Sequence, residues 1–236
     1  LNNEGANFAA NGIETVIQSG TIKDTVSGGS VTSSDYKTWD DVEFDTNLTV
    51  EGGTFDKVVM GGSRVDKGNS EQIGESNLTV TGGSFTLDTA DDAIHAGGNI
   101  YLQGGTVSIQ TGDDAIHADG SVSVTGGSFD IKTGDDAFHA EDSLAVSDGQ
   151  VNIRESYEGL EAHFVTLSGG TLLIHANDDG INAAGGQDES GITGGRDGMF
   201  GPGGPGGHCA PSAEVNAPVR SARYLSYGSN CCLKVG

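Results

Sequence analysis

The stretch DDAIHA at residues 113–118 is one of a series of closely similar copies. DDAIHA also stands 22 residues earlier, at 91–96, and DDAFHA stands 22 residues later, at 135–140. The looser copies YEGLEA at 157–162 and DDGINA at 178–183 continue the series at steps of 22 and 21 residues. A fixed period of this length predicts a solenoid in which each repeat forms one coil and stacks on the previous coil.

The residues between the copies predict three short strands in each coil. In SVSVT at 121–125 and SFDIK at 128–132, polar and apolar residues alternate, and a Gly-Gly pair separates the two segments. Alternation with a period of two indicates half-buried strands, and glycine supplies corners that need positive φ. Because the inward positions are apolar in consecutive coils, we predict an all-β fold, a right-handed parallel β-helix with about 22 residues per coil.

The repeats divide the chain into four predicted parts. Residues 1–75 carry looser Gly-rich motifs and are expected to form irregular solenoid coils, whereas residues 76–184 form the regular β-helix. Residues 185–207 are a Gly/Pro-rich loop or linker. Residues 208–236 hold all three cysteines, show no alternation, and are expected to be a disordered tail without an assigned role.

The charge of the chain excludes several classes of partner. Its net charge is −23, with 34 acidic and 11 basic residues. Nucleic acids and anionic membrane surfaces need lysine and arginine to neutralise them, so neither is expected as a partner. Membrane insertion is not expected either, because no apolar run reaches about 18 residues. The composition favours cations, or neutral or cation-bridged substrates, and a monomer.

Three columns appear when the five copies are aligned. The first is mostly acidic and contains Asp91, Asp113, Asp135, Tyr157 and Asp178. The second is acidic in every coil and contains Asp92, Asp114, Asp136, Glu158 and Asp179. The third contains His95, His117, His139, Glu161 and Asn182. Stacking of the coils would place each column in a line along one side of the solenoid.

A line of carboxylates predicts a bound cation. Neighbouring strands lie about 4.8 Å apart, and like charges at that distance repel by roughly 1 kcal/mol in water and about 3–4 kcal/mol near a protein surface. Calcium, which takes about 6–8 oxygen ligands, is the simplest way to offset this repulsion. Zinc is the alternative, disfavoured because oxygen donors dominate. The predicted metal ligands are Asp91, Asp92, Asp113, Asp114, Asp135, Asp136, Glu158, Glu161, Asp178 and Asp179.

The same residues also have a purely structural interpretation. An Asp at a Thr-Gly-Asp-Asp corner can accept hydrogen bonds from backbone N–H groups, as in Asx turns. The second column must then sit on the corner itself, because Asp114 has the same parity as the inward-facing Ile116.

Four further residues are candidates for binding a polysaccharide. His117 and His139 either hydrogen-bond to the acids or face a substrate, and the alternative is an exposed stacked row. Lys132 and Arg154 align in one column and could meet the carboxylate of a uronic acid, or could lie on a solvated face. In an enzyme, Lys132 or Arg154 could abstract a proton from a uronate bound to calcium.

The motifs DDAIHADG at 113–120, ESYEGLE at 155–161 and NDDGINA at 177–183 resemble a family of bacterial carbohydrate-binding β-helix proteins. The resemblance covers about residues 76–205. It implies a fold similar to that of calcium-dependent pectate lyases, bound calcium, and binding of cellulose or acidic polysaccharides such as pectate by secreted proteins. Residues 1–75 resemble the Gly-Gly-Ser/Thr repeats of bacterial surface and adhesin-like proteins.

These observations lead to one main hypothesis and two alternatives. The main hypothesis is a non-catalytic, calcium-dependent polysaccharide-binding module of a secreted bacterial protein, located outside the cell or on its surface, with no catalytic residues. The first alternative is a calcium-dependent polysaccharide lyase acting by β-elimination. The second is a structural, adhesin-like surface stalk.

Overall fold

The computed structural model describes residues 13–28, 42–43, 45–61, 72–73, 75–183, 222–227 and 230–235. Within these ranges the chain forms β-strands joined by turns and bends. In chain order the strands are β1 (Ile13–Ile17), β2 (Thr21–Ile22), β3 (Val26–Ser27), β4 (Val42–Glu43), β5 (Thr46–Val50), β6 (Thr54–Phe55), β7 (Val59–Met60), β8 (Gln72–Ile73), β9 (Ser76–Val80), β10 (Ser84–Asp88), β11 (Ile94–Ala96), β12 (Ile100–Leu102), β13 (Thr106–Gln110), β14 (Ile116–Ala118), β15 (Val122–Lys132), β16 (Phe138–Ser156), β17 (Leu160–Leu167), β18 (Thr171–Ala176), β19 (Ala222–Tyr227) and β20 (Asn230–Val235).

Strands of successive coils pair in parallel and build three faces. The first face contains β1, β5, β9 and β12, then the first part of β15, the middle of β16 and the end of β17. The second face contains β2, β6, β10 and β13, then the later parts of β15 and β16, and β18. The third face contains β3, β7, β11 and β14, then the beginnings of β16 and β17. A parallel β-solenoid is thus confirmed, and its right-handedness stays a prediction.

The coil length differs between the two ends of the solenoid. In the regular part, hydrogen-bonded neighbours such as Asn99 and Ser121 are 22 residues apart. Upstream, the Asn77 side chain reaches Asn47 over 30 residues, and Asn47 reaches Glu14 over 33. Additional chain between β3 and β5, and between β7 and β9, holds β4 and β8, which pair in parallel. The early coils are therefore longer, but they continue the same stack.

The core is a narrow column of apolar side chains at alternate strand positions. Val107 lies opposite Phe129 in the register, and Ile109 lies opposite Ile131. All four are buried, with at most 1% of their surface exposed, and each contributes roughly 1.5–3 kcal/mol by leaving water. The predicted inward positions of both coils, which are Ile100, Leu102, Val107, Ile109, Ile116, Val122, Val124, Phe129, Ile131 and Phe138, are all buried.

Glycine is required at the corner between the first and second faces. Gly127 adopts φ +101, a left-handed conformation that L side chains rarely adopt. At the preceding Gly126, an added Cβ would lie 2.5 Å from the carbonyl oxygen of Gln103 in the previous coil. The Gly-Gly pairs of the sequence therefore let the coils approach closely at this corner.

One strand of the C-terminal tail pairs with the last described coil, and a second strand pairs with the first. β20 runs antiparallel to β18, and β19 and β20 form an antiparallel pair. The predicted Gly/Pro-rich linker at 185–207 lies outside the described residues. In the part of the chain that the structure describes, no helix has the length and apolar character that crossing a membrane would need.

Candidate functional site

The Thr-Gly-Asp-Asp segments form the corner between the second and third faces. The Thr111 hydroxyl donates to the carbonyl oxygen of Asp91 in the previous coil at 2.7 Å, and Thr133 donates in the same way to Asp113. The backbone N–H of Asp113 in turn donates to the Thr111 hydroxyl at 3.4 Å. Each threonine thus ties its own corner to the corner below, which stacks the aspartates that follow it.

We call the second column the inner acid row: Asp92, Asp114, Asp136, Glu158 and Asp179. Asp114, Asp136 and Glu158 are buried, with at most 7% of their surface exposed. Asp114 Oδ1 accepts the backbone N–H of Asp136 at 2.9 Å, and Asp136 Oδ1 accepts the backbone N–H of Glu158 at 3.1 Å. Both aspartates therefore accept backbone N–H groups, as the structural interpretation predicted, but the donors belong to the next coil and not to a local Asx turn. Both sit on the corner, as their parity required.

The other oxygen of each inner aspartate faces the histidine row, which consists of His95, His117 and His139. Asp92 Oδ2 lies 2.9 Å from His95 Nδ1 and 3.2 Å from His117 Nδ1. Asp114 Oδ2 lies 3.3 Å from His117 Nδ1 and 3.6 Å from His139 Nδ1. Carboxylates and imidazoles therefore alternate along the solenoid, and Asp92 and Asp114 are each shared by two rings.

The imidazole rings also contact one another along the row. The ring centroids of His95 and His117 are 4.9 Å apart, and those of His117 and His139 are 4.8 Å apart with an interplanar angle of 28°. Beyond His139, the row continues with Glu161, whose Oε2 lies 3.5 Å from His139 Nδ1. Asn182 then donates to Glu158 Oε1 at 3.1 Å, so the columns remain in register.

Burial and neighbouring charges shift the pKa values along the inner acid row in opposite directions. Burial raises the pKa of Asp92, but hydrogen bonds from His117 and His95 outweigh it and hold this pKa below its usual range. Burial raises the pKa of Asp114 to about 7 despite the nearby histidines. Burial, a hydrogen bond with Glu161 and neighbouring carboxylates raise the pKa of Asp136 to about 11. Asp136 is therefore protonated at neutral pH.

His117 is the titrating partner at the centre of this arrangement. Burial alone would lower the pKa of His117, but its hydrogen bond to Asp92 and the charge of Asp114 reverse this effect and raise it. The hydrogen bond between His117 and Asp92, and the proximity of His117 to Asp114, therefore offset part of the repulsion within the inner acid row.

We call the first column the outer acid row: Asp91, Asp113, Asp135 and Asp178, with Tyr157 between the last two. Asp91 is exposed, whereas Asp113, Asp135 and Asp178 are half-buried. Carboxylate oxygens of Asp91, Asp92 and Asp113 lie within 4.8 Å of one another, and so do those of Asp113, Asp114 and Asp135. These all-oxygen groups each combine two aspartates of the outer row with one of the inner row, and they match the donors that calcium prefers.

Near the C-terminal end of the two acid rows, backbone hydrogen bonds join successive coils. The Tyr157 N–H donates to the Asp135 carbonyl at 2.9 Å, and the Asp178 N–H donates to Tyr157 in the same way. Asp179 is half-buried, and its carbonyl accepts the Gly159 N–H. Tyr157 has 42% of its surface exposed. It therefore interrupts the carboxylates with an aromatic ring, and Asp178 resumes them one coil later.

The predicted alignment of Lys132 with Arg154 in one column is wrong. A bulge after Ile131 shifts the pairing, so that Lys132 lies opposite Glu155 and not opposite Arg154. Lys132 Nζ is 2.6 Å from Glu155 Oε2, and Arg154 Nε donates to Asp130 Oδ1 at 2.8 Å. Both cations lie at the edge of the second face, with nearly half of each side chain exposed, but each already has an acidic partner.

Sequence reasoning missed two exposed carboxylates on the third face. Asp119 and Glu141 follow the histidines of their coils by two residues, and their side chains are 56% and 58% exposed. A signal was present, because residues two apart on a strand point to the same side. These acids therefore stand beside the outer edges of the histidine rings.

Comparison with known proteins provides a family and no individual relative. A family model described as "Carbohydrate-binding domain-containing protein" matches residues 7–115 and 113–196, which together cover more than half of the chain. The match begins well before residue 76, where the resemblance recognised in the sequence started. No curated protein and no solved structure matches this chain. The chain belongs to the family of carbohydrate-binding domain-containing proteins.

Proposed function

We propose that this chain is a non-catalytic polysaccharide-binding module of a secreted bacterial protein, and that it binds acidic glycans such as pectate with the help of calcium. The family supports binding of carbohydrate. The finer proposal is carried by one observation: carboxylate oxygens of Asp91, Asp92 and Asp113, and likewise of Asp113, Asp114 and Asp135, lie within 4.8 Å of one another at the corner between the second and third faces. Cellulose is the neutral glycan against which this preference is to be tested.

The chemistry of the outer acid row supports calcium as the bridging ion. Calcium takes about 6–8 oxygen ligands, and Asp91, Asp113 and Asp135 together supply only part of that number. The rest would come from water and from the carboxylate of a uronic acid. An acidic polymer is otherwise repelled by a chain of net charge −23, so a bridging cation turns this repulsion into attraction.

The neighbours of the outer acid row also suit a sugar chain that runs along the corner. Tyr157 offers an exposed ring in line with the aspartates, and aromatic rings provide apolar surface with a polar tip for a sugar to stack on. Lys132 lies at the edge of the second face, next to Thr133 of the corner. Its ammonium can exchange the exposed Glu155 for a uronate, because an exposed ion pair contributes only about 0–1 kcal/mol.

Calorimetric titration with oligogalacturonate, with and without calcium, tests the proposal. We expect binding by the wild type only with calcium, and at least about tenfold weaker binding by Asp113→Asn/Asp135→Asn, equivalent to about 1.4 kcal/mol. Asp148→Asn, at an exposed position of the corner between the first and second faces, is the matched control and should bind like the wild type. Equal binding by all three proteins would show that the outer acid row is not the site.

Measurements with polygalacturonate, oligogalacturonate and cello-oligosaccharides distinguish the proposed function from the two alternatives. A lyase would release unsaturated product, visible as a rise in ultraviolet absorbance with polygalacturonate and calcium. A structural stalk would bind neither oligogalacturonate nor cello-oligosaccharides at any calcium concentration. Binding of cello-oligosaccharides but not of oligogalacturonate would mean that the glycan-binding site is not at the corner that carries the outer acid row.

A further inference from the structure

The outer edge of the histidine row carries a second group of metal-ligating atoms. His117 Nε2 lies 3.6 Å from Asp119 Oδ1, His95 Nε2 lies 3.9 Å from the same oxygen, and His139 Nε2 lies 3.7 Å from Glu141 Oε1. These separations are longer than hydrogen bonds. The imidazoles and the exposed acids are thus close neighbours without bonding directly.

The inner edge of the row fixes how the rings are oriented. The Nδ1 atom of each ring faces the inner aspartates: His117 Nδ1 lies 3.2 Å from Asp92 Oδ2, and His139 Nδ1 lies 3.5 Å from Asp136 Oδ2. The Nε2 atoms therefore lie on the opposite edge of the rings, on the side of Asp119 and Glu141. Histidines that bind metals commonly have this arrangement, with Nδ1–H donated to a carboxylate and Nε2 left for the metal.

The nitrogen and oxygen donors at this edge favour a different class of metal ion from the oxygen donors of the outer acid row. Imidazole nitrogen suits zinc, nickel and copper, whereas calcium prefers oxygen alone. A nitrogen of His117, a nitrogen of His139 and an oxygen of Glu141 lie within 4.8 Å of one another. Ligands of a tetrahedral zinc ion are separated by about 3.4 Å, given Zn–N distances of about 2.1 Å. All three ligand atoms would approach one another to reach that separation, and Glu141 has the most exposed side chain of the three.

We propose that His117, His139 and Glu141 bind a divalent transition-metal ion such as Zn²⁺. This site goes beyond the proposed glycan-binding function, and it does not depend on that function. Since His117 and His139 belong to consecutive coils, the ion would connect two coils on the third face. A solvent-facing position would remain for water or for an oxygen ligand.

Calorimetric titration with Zn²⁺ tests this site, in a background where Cys209, Cys231 and Cys232 are replaced by serine, because these thiols are potential zinc ligands. His139→Asn keeps an amide N–H near the position of Nδ1, so it preserves a donor to the buried acids while removing Nε2. Glu141→Gln changes an exposed side chain only. His163→Asn, at an exposed histidine outside the row, is the matched control.

We expect His139→Asn and Glu141→Gln each to weaken Zn²⁺ binding at least about tenfold, since losing even a partner behind a metal ligand costs about 10–100-fold. His163→Asn should bind like the background protein, and saturating Ca²⁺ should not displace Zn²⁺. Absence of zinc binding, or equal affinity in all variants, would overturn the proposal. If circular dichroism shows that His139→Asn is unfolded, the result for Glu141→Gln decides alone.

Discussion

At the scale of single residues, the inner acid row shows how buried carboxylates tolerate one another. Each has a different set of partners. Asp92 has two imidazoles, and Asp114 has two imidazoles and a backbone N–H. Asp136 has one imidazole, a backbone N–H and a hydrogen bond with Glu161. Replacing the carboxyl group of Asp136 with an amide should therefore cost little, whereas removing its hydrogen-bonding capacity should cost much more.

The variants Asp136→Asn and Asp136→Ala test this distinction. The asparagine keeps an acceptor for the Glu158 N–H and a donor for Glu161, so we expect a change in unfolding free energy below about 1 kcal/mol. The alanine leaves a buried N–H unpaired, which costs about 1–3 kcal/mol. Urea denaturation followed by circular dichroism gives both values. A larger loss for asparagine than for alanine would mean that Asp136 is ionised in the folded protein.

At the scale of strands and corners, the period and the alternation were sufficient to predict the coils and their inward residues. Two features could not be predicted from the same pattern. The bulge after Ile131 depends on how β15 and β16 pair, so the expected Lys132–Arg154 column does not form. The alternation of Asp114 between two imidazoles depends on side-chain direction at a corner, where strand parity no longer applies.

The Gly-Gly corner gives a prediction at this scale. Gly127→Ala places a Cβ on a residue with φ +101, 3.2 Å from the carbonyl oxygen of Gly104, and we expect a loss of about 1–3 kcal/mol in unfolding free energy. Gly97→Ala is the matched control, because its nearest contact would be an ordinary 3.6 Å from Asp119. Thermal melts of the two variants should differ clearly. Equal melting temperatures would mean that this corner relaxes freely.

At the scale of the whole molecule, the titrating groups predict an unusual dependence of stability on pH. The pKa values of Asp114, Asp136 and His117 are raised, so the folded protein keeps protons that the unfolded chain releases as pH rises. Asp92, whose pKa is lowered, acts in the opposite direction, but only as pH falls below about 4. The net charge of −23 adds repulsion at high pH.

Stability should therefore fall from pH 5 to pH 8. In the presence of a chelator, we expect the melting temperature to drop by on the order of 5 °C over this range, given the usual relation between free energy and melting temperature for a chain of this size. Asp136→Asn should reduce the drop, because it removes one of the retained protons. A melting temperature that rises over the same range would contradict the protonation states assigned to the inner acid row.

The most direct measurement of the central claim is a crystal structure of the chain grown with calcium and trigalacturonate. The account predicts calcium within about 2.3–2.6 Å of carboxylate oxygens of Asp91, Asp113 or Asp135, with a uronate carboxylate on the same ion. Calcium identity would be checked by anomalous scattering. A glycan bound on another face, or an outer acid row that holds no ion at saturating calcium, would contradict the account.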